Sequence, residues 1–231
     1  MLKLTITDIF FDLDHTLWDF DANSKLAFEK LLQKHHFPID IDTFLEIYEP
    51  INKQYWADYA KGLKTKNEVK FNRLIDTFKT LNIEVSRTEI EVLADEYLDF
   101  LKQEHLLIDG TIELLDYLKE TYRLHILTNG FKEVQSDKLK HSGIDQYFDN
   151  MITSEEIGKL KPHPDVFKHA LQTAQTLAHH SFMIGDNFKT DILGAQNVGM
   201  HVIHFDPYNT NNVDYKIIPK VKHLLEIKEI L

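Results

Sequence analysis

Apolar and polar residues follow two alternating periods along this chain, and the switches between them predict its elements. The run Leu4–Phe11 is β-branched and aromatic and reads as a strand buried in a sheet. From Asp21 to about Leu101 the pattern turns helical and stays so. Phe44, Ile47, Tyr48, Ile51 and Tyr55 recur at helical spacing. Ser86-Arg87-Thr88-Glu89 has the form of a capping box, with Ile90, Leu93, Ala94, Tyr97 and Leu101 as the stripe behind it. No strand of comparable strength falls in this stretch, which predicts a helical insertion after the first strand.

Beyond Asp109-Gly110 the two patterns alternate. Ile112, Leu115 and Leu118 predict a helix and Arg123–Thr128 a strand. Val134 to Gly143 reads as a helix closed by a glycine suited to a left-handed cap, and Asn150–Thr153 as a short strand. Val166, Phe167, Ala170, Leu171, Ala174 and Leu177 make a helical stripe before the strand Ser181–Gly185. A helix from about Lys189 to Asn197 then leads into the strand His201–Phe205. Tyr215–Ile218 is a candidate last strand, Pro219 is placed to open a final helix, and Pro207 to Asp214 reads as a loop. Strands alternating with helices specify an α/β fold, a doubly wound parallel sheet with a Rossmann-like core. The expected division is residues 1–16 and 105–231 for the core and 17–104 for a helical cap.

Within that frame the acidic stretch Asp12-Leu13-Asp14-His15-Thr16 falls at the carboxyl end of the first strand, where ligands of open parallel sheets collect. Two carboxylates two residues apart can hold a hard cation and divide nucleophilic and acid/base duties. Alone the pair is equally a solvated turn. Three further groups follow in order: Thr128-Asn129-Gly130 after an apolar run, Lys159-Leu160-Lys161-Pro162, and Gly185-Asp186-Asn187-Phe188-Lys189-Thr190-Asp191 after Phe182-Met183-Ile184. Three of the four stations stand directly after a predicted strand, so one sheet edge can gather them all.

These four stations resemble the haloacid dehalogenase superfamily of phosphatases and related hydrolases, over nearly the whole chain. The stretch Asn52-Lys53-Gln54-Tyr55-Trp56-Ala57-Asp58-Tyr59, Thr128-Asn129-Gly130-Phe131, Tyr147-Phe148-Asp149 and Ser154-Glu155-Glu156-Ile157-Gly158 are similar to the noncanonical pyrimidine nucleotidase subfamily. That subfamily removes phosphate from pyrimidine nucleoside 5′-monophosphates. The resemblance implies Asp12 as nucleophile, forming an aspartyl-phosphate, and Asp14 as general acid and then base, its backbone carbonyl touching the metal. It also implies a core with a helical cap after the first strand, in agreement with the hydrophobic pattern.

The remaining roles follow from chemistry. Magnesium accepts oxygen ligands and commonly one or two carboxylates, here Asp12 and Asp186. Asp191 is a third ligand, a partner to the ligands, or a helix-start residue favoured by the macrodipole. Thr128 and Asn129 can donate to phosphoryl oxygens beside Gly130. Lys161, the lysine directly before Pro162 as the family pattern requires, supplies the cation that screens phosphate from Asp12, and Lys159 reads as a surface residue. Thr16 reads as a turn cap. In the cap, burial of Phe44, Ile47, Ile51 and Tyr55 would gather Asn52, Trp56 and Tyr59 on an adjoining helix face, where they can stack on a flat base and bond its edge.

Composition narrows the alternatives. A net charge of −11 argues against a nucleic-acid surface, and the absence of cysteine excludes disulfides and thiolate chemistry. No apolar run reaches the ~18 residues of a membrane span, so a cytoplasmic enzyme, monomer or homodimer, is expected. The 13 histidines do not suggest a metal site. His35-His36 and His179-His180 are adjacent pairs expected to diverge, and His201 and His204 would face opposite sides of a strand. Asp14 favours phosphoryl transfer over carbon–halogen cleavage, which needs no ester oxygen protonated. The expected activity is a magnesium-dependent 5′-nucleotidase for UMP, dUMP and dTMP. A phosphatase or phosphomutase acting on sugar phosphates, and a non-catalytic phosphate-ester sensor, are the alternatives.

Overall fold

The computed structural model describes residues 6–209 and 218–231. Six parallel strands form one sheet: β1 (Asp8–Phe11), β2 (Arg123–Thr128), β3 (Phe148–Thr153), β4 (Ser181–Gly185), β5 (His201–Phe205) and β6 (Lys220–Val221). Their order is β3-β2-β1-β4-β5-β6. The chain runs outward from β1 on one side and returns to pair β4 on the other. This reversal makes the carboxyl ends of β1 and β4 the crevice of the sheet. Ile9, Phe10 and Phe11 are completely buried, as a central parallel strand covered on both faces requires.

Helices α1 (Phe20–Lys34), α2 (Ile41–Ala60), α3 (Arg73–Thr80) and α4 (Arg87–Leu101) lie in the inserted stretch. After it come α5 (Thr111–Lys119), α6 (Lys132–His141), α7 (Pro164–Thr173) and α8 (Gly194–Gln196). The chain divides into two compact units, Met1–Phe20 with His105–Leu231, and Asp21–Glu104. Residues 17–20, assigned to the insertion from sequence, group with the sheet unit. Trp18 makes the difference: it bridges to Asp14 and to Leu107 through the backbone and is fully buried.

In the helical unit Phe28 stacks on Tyr97 at 4.0 Å and meets Phe44 and Tyr48 at 4.8 and 4.5 Å. Each such fully buried aromatic contributes roughly 1.5–3 kcal/mol of burial. The capping box at Ser86 is formed in both directions. The buried face of α2 is Phe44, Leu45 and Tyr48, whereas Ile47, Ile51 and Tyr55 are only half-buried. The expected Phe44/Ile47/Ile51/Tyr55 stripe is therefore rotated toward Leu45 and Tyr48.

Other differences are local. Leu4 and Thr5 lie outside the described residues, and β1 begins at Asp8, a fully buried carboxylate that accepts hydrogen bonds from Arg123 and His125 of β2 at 2.9 Å each. Leu177 is exposed, because α7 ends at Thr173. Residues 215–217 of the expected last strand, and 210–214 of the expected loop, lie outside the described residues. Pro219 opens no helix: its carbonyl accepts from His204 N–H, and the chain goes straight into β6. The 3-10 turn Leu224–Glu229 follows, capped by His223.

Candidate active site

Four loops at the carboxyl ends of the strands carry the predicted residues of the sheet unit. Asp12 leaves β1 with its N–H bonded to the Ile184 carbonyl of β4, which fixes the two strand ends side by side. Asp186 leaves β4, its N–H donating to Thr16 Oγ1 at 3.1 Å. Thr16 is fully buried and ties the two loops together, consistent with a structural role.

Asp191 sits in a π-helical turn, Phe188–Leu193, that precedes α8 in place of the regular helix expected from Lys189. Asn187 caps this turn through bonds from the N–H groups of Lys189 and Thr190 at 3.1 Å. The turn carries the Asp191 carboxylate back over Gly185, where any β-carbon would overlap it. Asp12, Asp186 and Asp191 each offer an oxygen within 4.8 Å of the others, the only such group of three or more metal-ligating side chains among the described residues.

Lys161 is buried at the centre of these acids. Its ammonium donates to Asp12 Oδ1 at 2.7 Å and to the Leu127 carbonyl at 2.7 Å, and lies 2.8 Å from Asp191 Oδ1. Burial opposes its charge, yet the carboxylates of Asp12 and Asp191 hold it above the ordinary lysine range. Burial pushes Asp12 up to about 7, with Asp191 and Asp14 adding and Lys161 opposing. Burial, then the charges of Asp12 and Asp191, hold Asp186 well above the usual carboxylate range. Three acids against one lysine leave the cluster short of positive charge. Lys159 instead pairs with Asp165 at the surface.

The Thr128-Asn129-Gly130 loop behaves in two ways. Thr128 Oγ1 accepts from the Gly130 N–H at 3.0 Å and from Gln135 at 2.7 Å, which leaves its own O–H to donate. Asn129, expected to donate to phosphate, spends its side chain on the lysine loop. Its Oδ1 accepts from Lys161 N–H at 2.8 Å and Ser154 Oγ at 2.6 Å, and its Nδ2 donates to the Lys161 carbonyl at 3.1 Å. Asn129 thereby sets the position of the backbone that carries the ammonium.

In the helical unit, Asn52 accepts from Arg73 at 2.6 Å, and the Trp56 and Tyr59 rings lie 5.8 Å apart, tilted by 60°. Among the histidines, His204 bonds the Asp186 carbonyl at 2.9 Å, and His179 and His180, expected to diverge, pack ring to ring at 4.3 Å in a 3-10 turn.

Residues 9–205 match the family model of the haloacid dehalogenase-like hydrolases. The chain belongs to that family. Among haloacid dehalogenase-like hydrolases it is similar to the pyrimidine 5′-nucleotidases of Streptococcus pneumoniae and Escherichia coli. The first is 34% identical over 88% of this chain and 85% of the relative, the second 30% over 83% and 82%. The solved structure of the Bacillus subtilis HAD-hydrolase YfnB, bound to magnesium, is 31% identical. It superposes with a TM-score of 0.87 over 98% of this chain and 99% of that one.

For this family member the sequence reading missed the partners of Asp14. Its Oδ1 accepts from Lys138 at 2.7 Å and its Oδ2 from Gln135 at 3.0 Å, both on α6. Burial alone would raise Asp14, but Lys138 and then Gln135 bring it below the ordinary aspartate range. The available signal was polar spacing: Gln135, Lys138 and Ser142 fall at i, i+3 and i+7 on a helix that otherwise shows only Val134 and Leu139 as an apolar face.

Proposed function

We propose that this haloacid dehalogenase-like hydrolase cleaves phosphate monoesters through an aspartyl-phosphate on Asp12, and that pyrimidine nucleoside 5′-monophosphates such as UMP, dUMP and dTMP are its preferred substrates. The observation that carries the reading is the pair of carboxylates after β1, set in different surroundings. Asp12 lies on the buried ammonium of Lys161 and Asp14 on α6. On this reading Asp12 attacks and Asp14 moves the proton.

Magnesium fits the donor set. All the groups are oxygens, the acids outnumber the lysine, and burial disfavours the charges of Asp12 and Asp186 in the protein alone. Asp12, Asp186 and the Asp14 carbonyl would hold it, with Asp191 either a ligand or the group that fixes Lys161. Such an ion supplies charge neutralisation on the phosphoryl oxygens.

The chain's own groups do the rest. An Asp12 oxygen bonds phosphorus while the ester P–O bond breaks and the leaving oxygen takes the proton carried by Asp14. Water then bonds phosphorus and gives its proton to the Asp14 carboxylate. The acyl-phosphate P–O bond breaks, Asp12 is restored and inorganic phosphate leaves. Lys138 keeps Asp14 ionised in the free protein, the form needed in the second step. The proton that Asp14 takes from water in the second step is the one it gives to the leaving oxygen of the next substrate. Thr128 O–H and the loop N–H groups bind the phosphoryl oxygens, and Lys161 screens them from the acids.

For the base, Asn52 can donate its amide N–H to a carbonyl because its oxygen already accepts from Arg73, and Trp56 and Tyr59 supply aromatic faces. The two nucleotidase relatives support this choice. The test is phosphate release across nucleotides and sugar phosphates, with and without Mg²⁺. Pyrimidine monophosphates are expected to lead, with activity abolished by chelation and restored by Mg²⁺. Hexose phosphates as better substrates would overturn the specificity, and full turnover in excess chelator would remove the metal.

A further inference from the structure

One face of α6 is devoted to the loop that follows β1. Gln135, Lys138 and Ser142 fall at i, i+3 and i+7, and each reaches that loop. Gln135 donates to Asp14 Oδ2 and to Thr128 Oγ1, so one amide nitrogen spans the acid and the Thr128-Asn129-Gly130 loop. Lys138 donates to Asp14 Oδ1, and Ser142 accepts from Trp18 Nε1 at 3.1 Å. The indole thus anchored lies under the ammonium, 4.1 Å from ring centroid to Nζ, with Phe20 at 5.3 Å.

A lysine in the last turn of α6 with a side chain only 3% exposed is costly to bury. It is retained here beside two aromatic faces, with its ammonium donating to the Asp14 carboxylate. Gly130 supplies an independent observation. A β-carbon there would overlap the amide of Gln135, so the loop lacks a side chain where the amide must pass. Both oxygens of Asp14 are taken from the same side, which fixes the carboxylate plane.

We propose that Lys138 and Gln135 are positioning residues for proton transfer: they hold the Asp14 carboxylate in the orientation from which it protonates the leaving oxygen. The inference rests on the phosphatase reading and on the acid role of Asp14, and its test separates the two. Asp14→Asn, Lys138→Met, Lys138→Arg and Gln135→Met are assayed on an alkyl ester (UMP or glycerol phosphate) and on p-nitrophenyl phosphate, whose leaving oxygen needs little protonation.

If the acid role is right, Asp14→Asn loses more on the alkyl ester than on the aryl ester. Lys138→Met and Gln135→Met are then expected to show the same bias, about 10- to 100-fold greater loss on the alkyl ester, as for a displaced proton donor. Lys138→Arg is expected to recover part of that ratio. A role in folding alone lowers both activities alike, which would overturn the proposal while leaving the Asp14 result standing. Absence of bias in Asp14→Asn itself would overturn the acid role, and the positioning role with it. Should Lys138→Met fail to fold, Gln135→Met, which removes no charge, decides the question alone.

Discussion

At the scale of single residues the site is defined by carboxylates that the protein alone does not stabilise. Burial pushes Asp12 up to about 7 in the folded chain, against ~3.9 when unfolded, and Asp186 shifts in the same direction. A raised folded pKa means that the stability tied to these groups is fully present below the unfolded value and is lost as pH rises through about 7. In chelator these two carboxylates are therefore expected to lower the melting temperature between about pH 5 and about pH 8. Added Mg²⁺ should raise it by an increment that grows with pH, since ligands must be deprotonated. Thermal melts at matched ionic strength measure this, and an equal increment at both ends would contradict it. The two aspartates also separate kinetically. Asp12→Asn is expected to remove nearly all turnover on every ester, whereas Asp14→Asn should cost roughly 10²- to 10⁴-fold on nucleotides and much less on p-nitrophenyl phosphate. Equal losses on both esters would speak against the acid role.

Among the elements, strands and the long helices were legible because their hydrophobic periods are strong: β2 and β4 fall on their predicted residues. Three of the four stations were legible because they stand directly after strands, which place chemistry at their carboxyl ends. Less legible were contacts that depend on how elements approach one another. The π-helical turn at Phe188–Leu193 has no local signature, yet it turns Asp191 back over Gly185. Asn129 looked like a phosphate donor because nothing in the sequence shows Ser154 and Lys161 closing on it. The burial of Lys138 carries no signal in the sequence, because it depends on Trp18 and Phe20 packing beside it. Gly185→Ala tests the close approach directly. The added methyl displaces the Asp191 carboxylate, and Mg²⁺ affinity by calorimetry is expected to fall about 10- to 100-fold, as when a supporting group of a metal site is disturbed. Unchanged affinity would mean that Asp191 does not serve the metal.

For the whole molecule, the helical insertion was readable as a block, but its boundary shifted to Phe20 because Trp18 belongs to the packing of the sheet unit. Under the proposed nucleotidase reading, substrate choice belongs to this insertion. Trp56→Ala is expected to lower kcat/KM for UMP about tenfold, the order of one stacking contact, without comparable loss on p-nitrophenyl phosphate. An equal fall on both substrates would make Trp56 a packing residue and would move base recognition elsewhere. The central claim, covalent phosphoryl transfer to the first aspartate of the β1 loop, has a more direct test. The protein is mixed with UMP carrying a radiolabelled phosphate, quenched in acid within the first turnover, and digested for peptide mapping. The account expects label on the peptide containing Asp12, at a level that rises and then decays with turnover, and none in Asp12→Asn. Turnover with no label on that peptide at any quench time, or label that persists in Asp12→Asn, would contradict it.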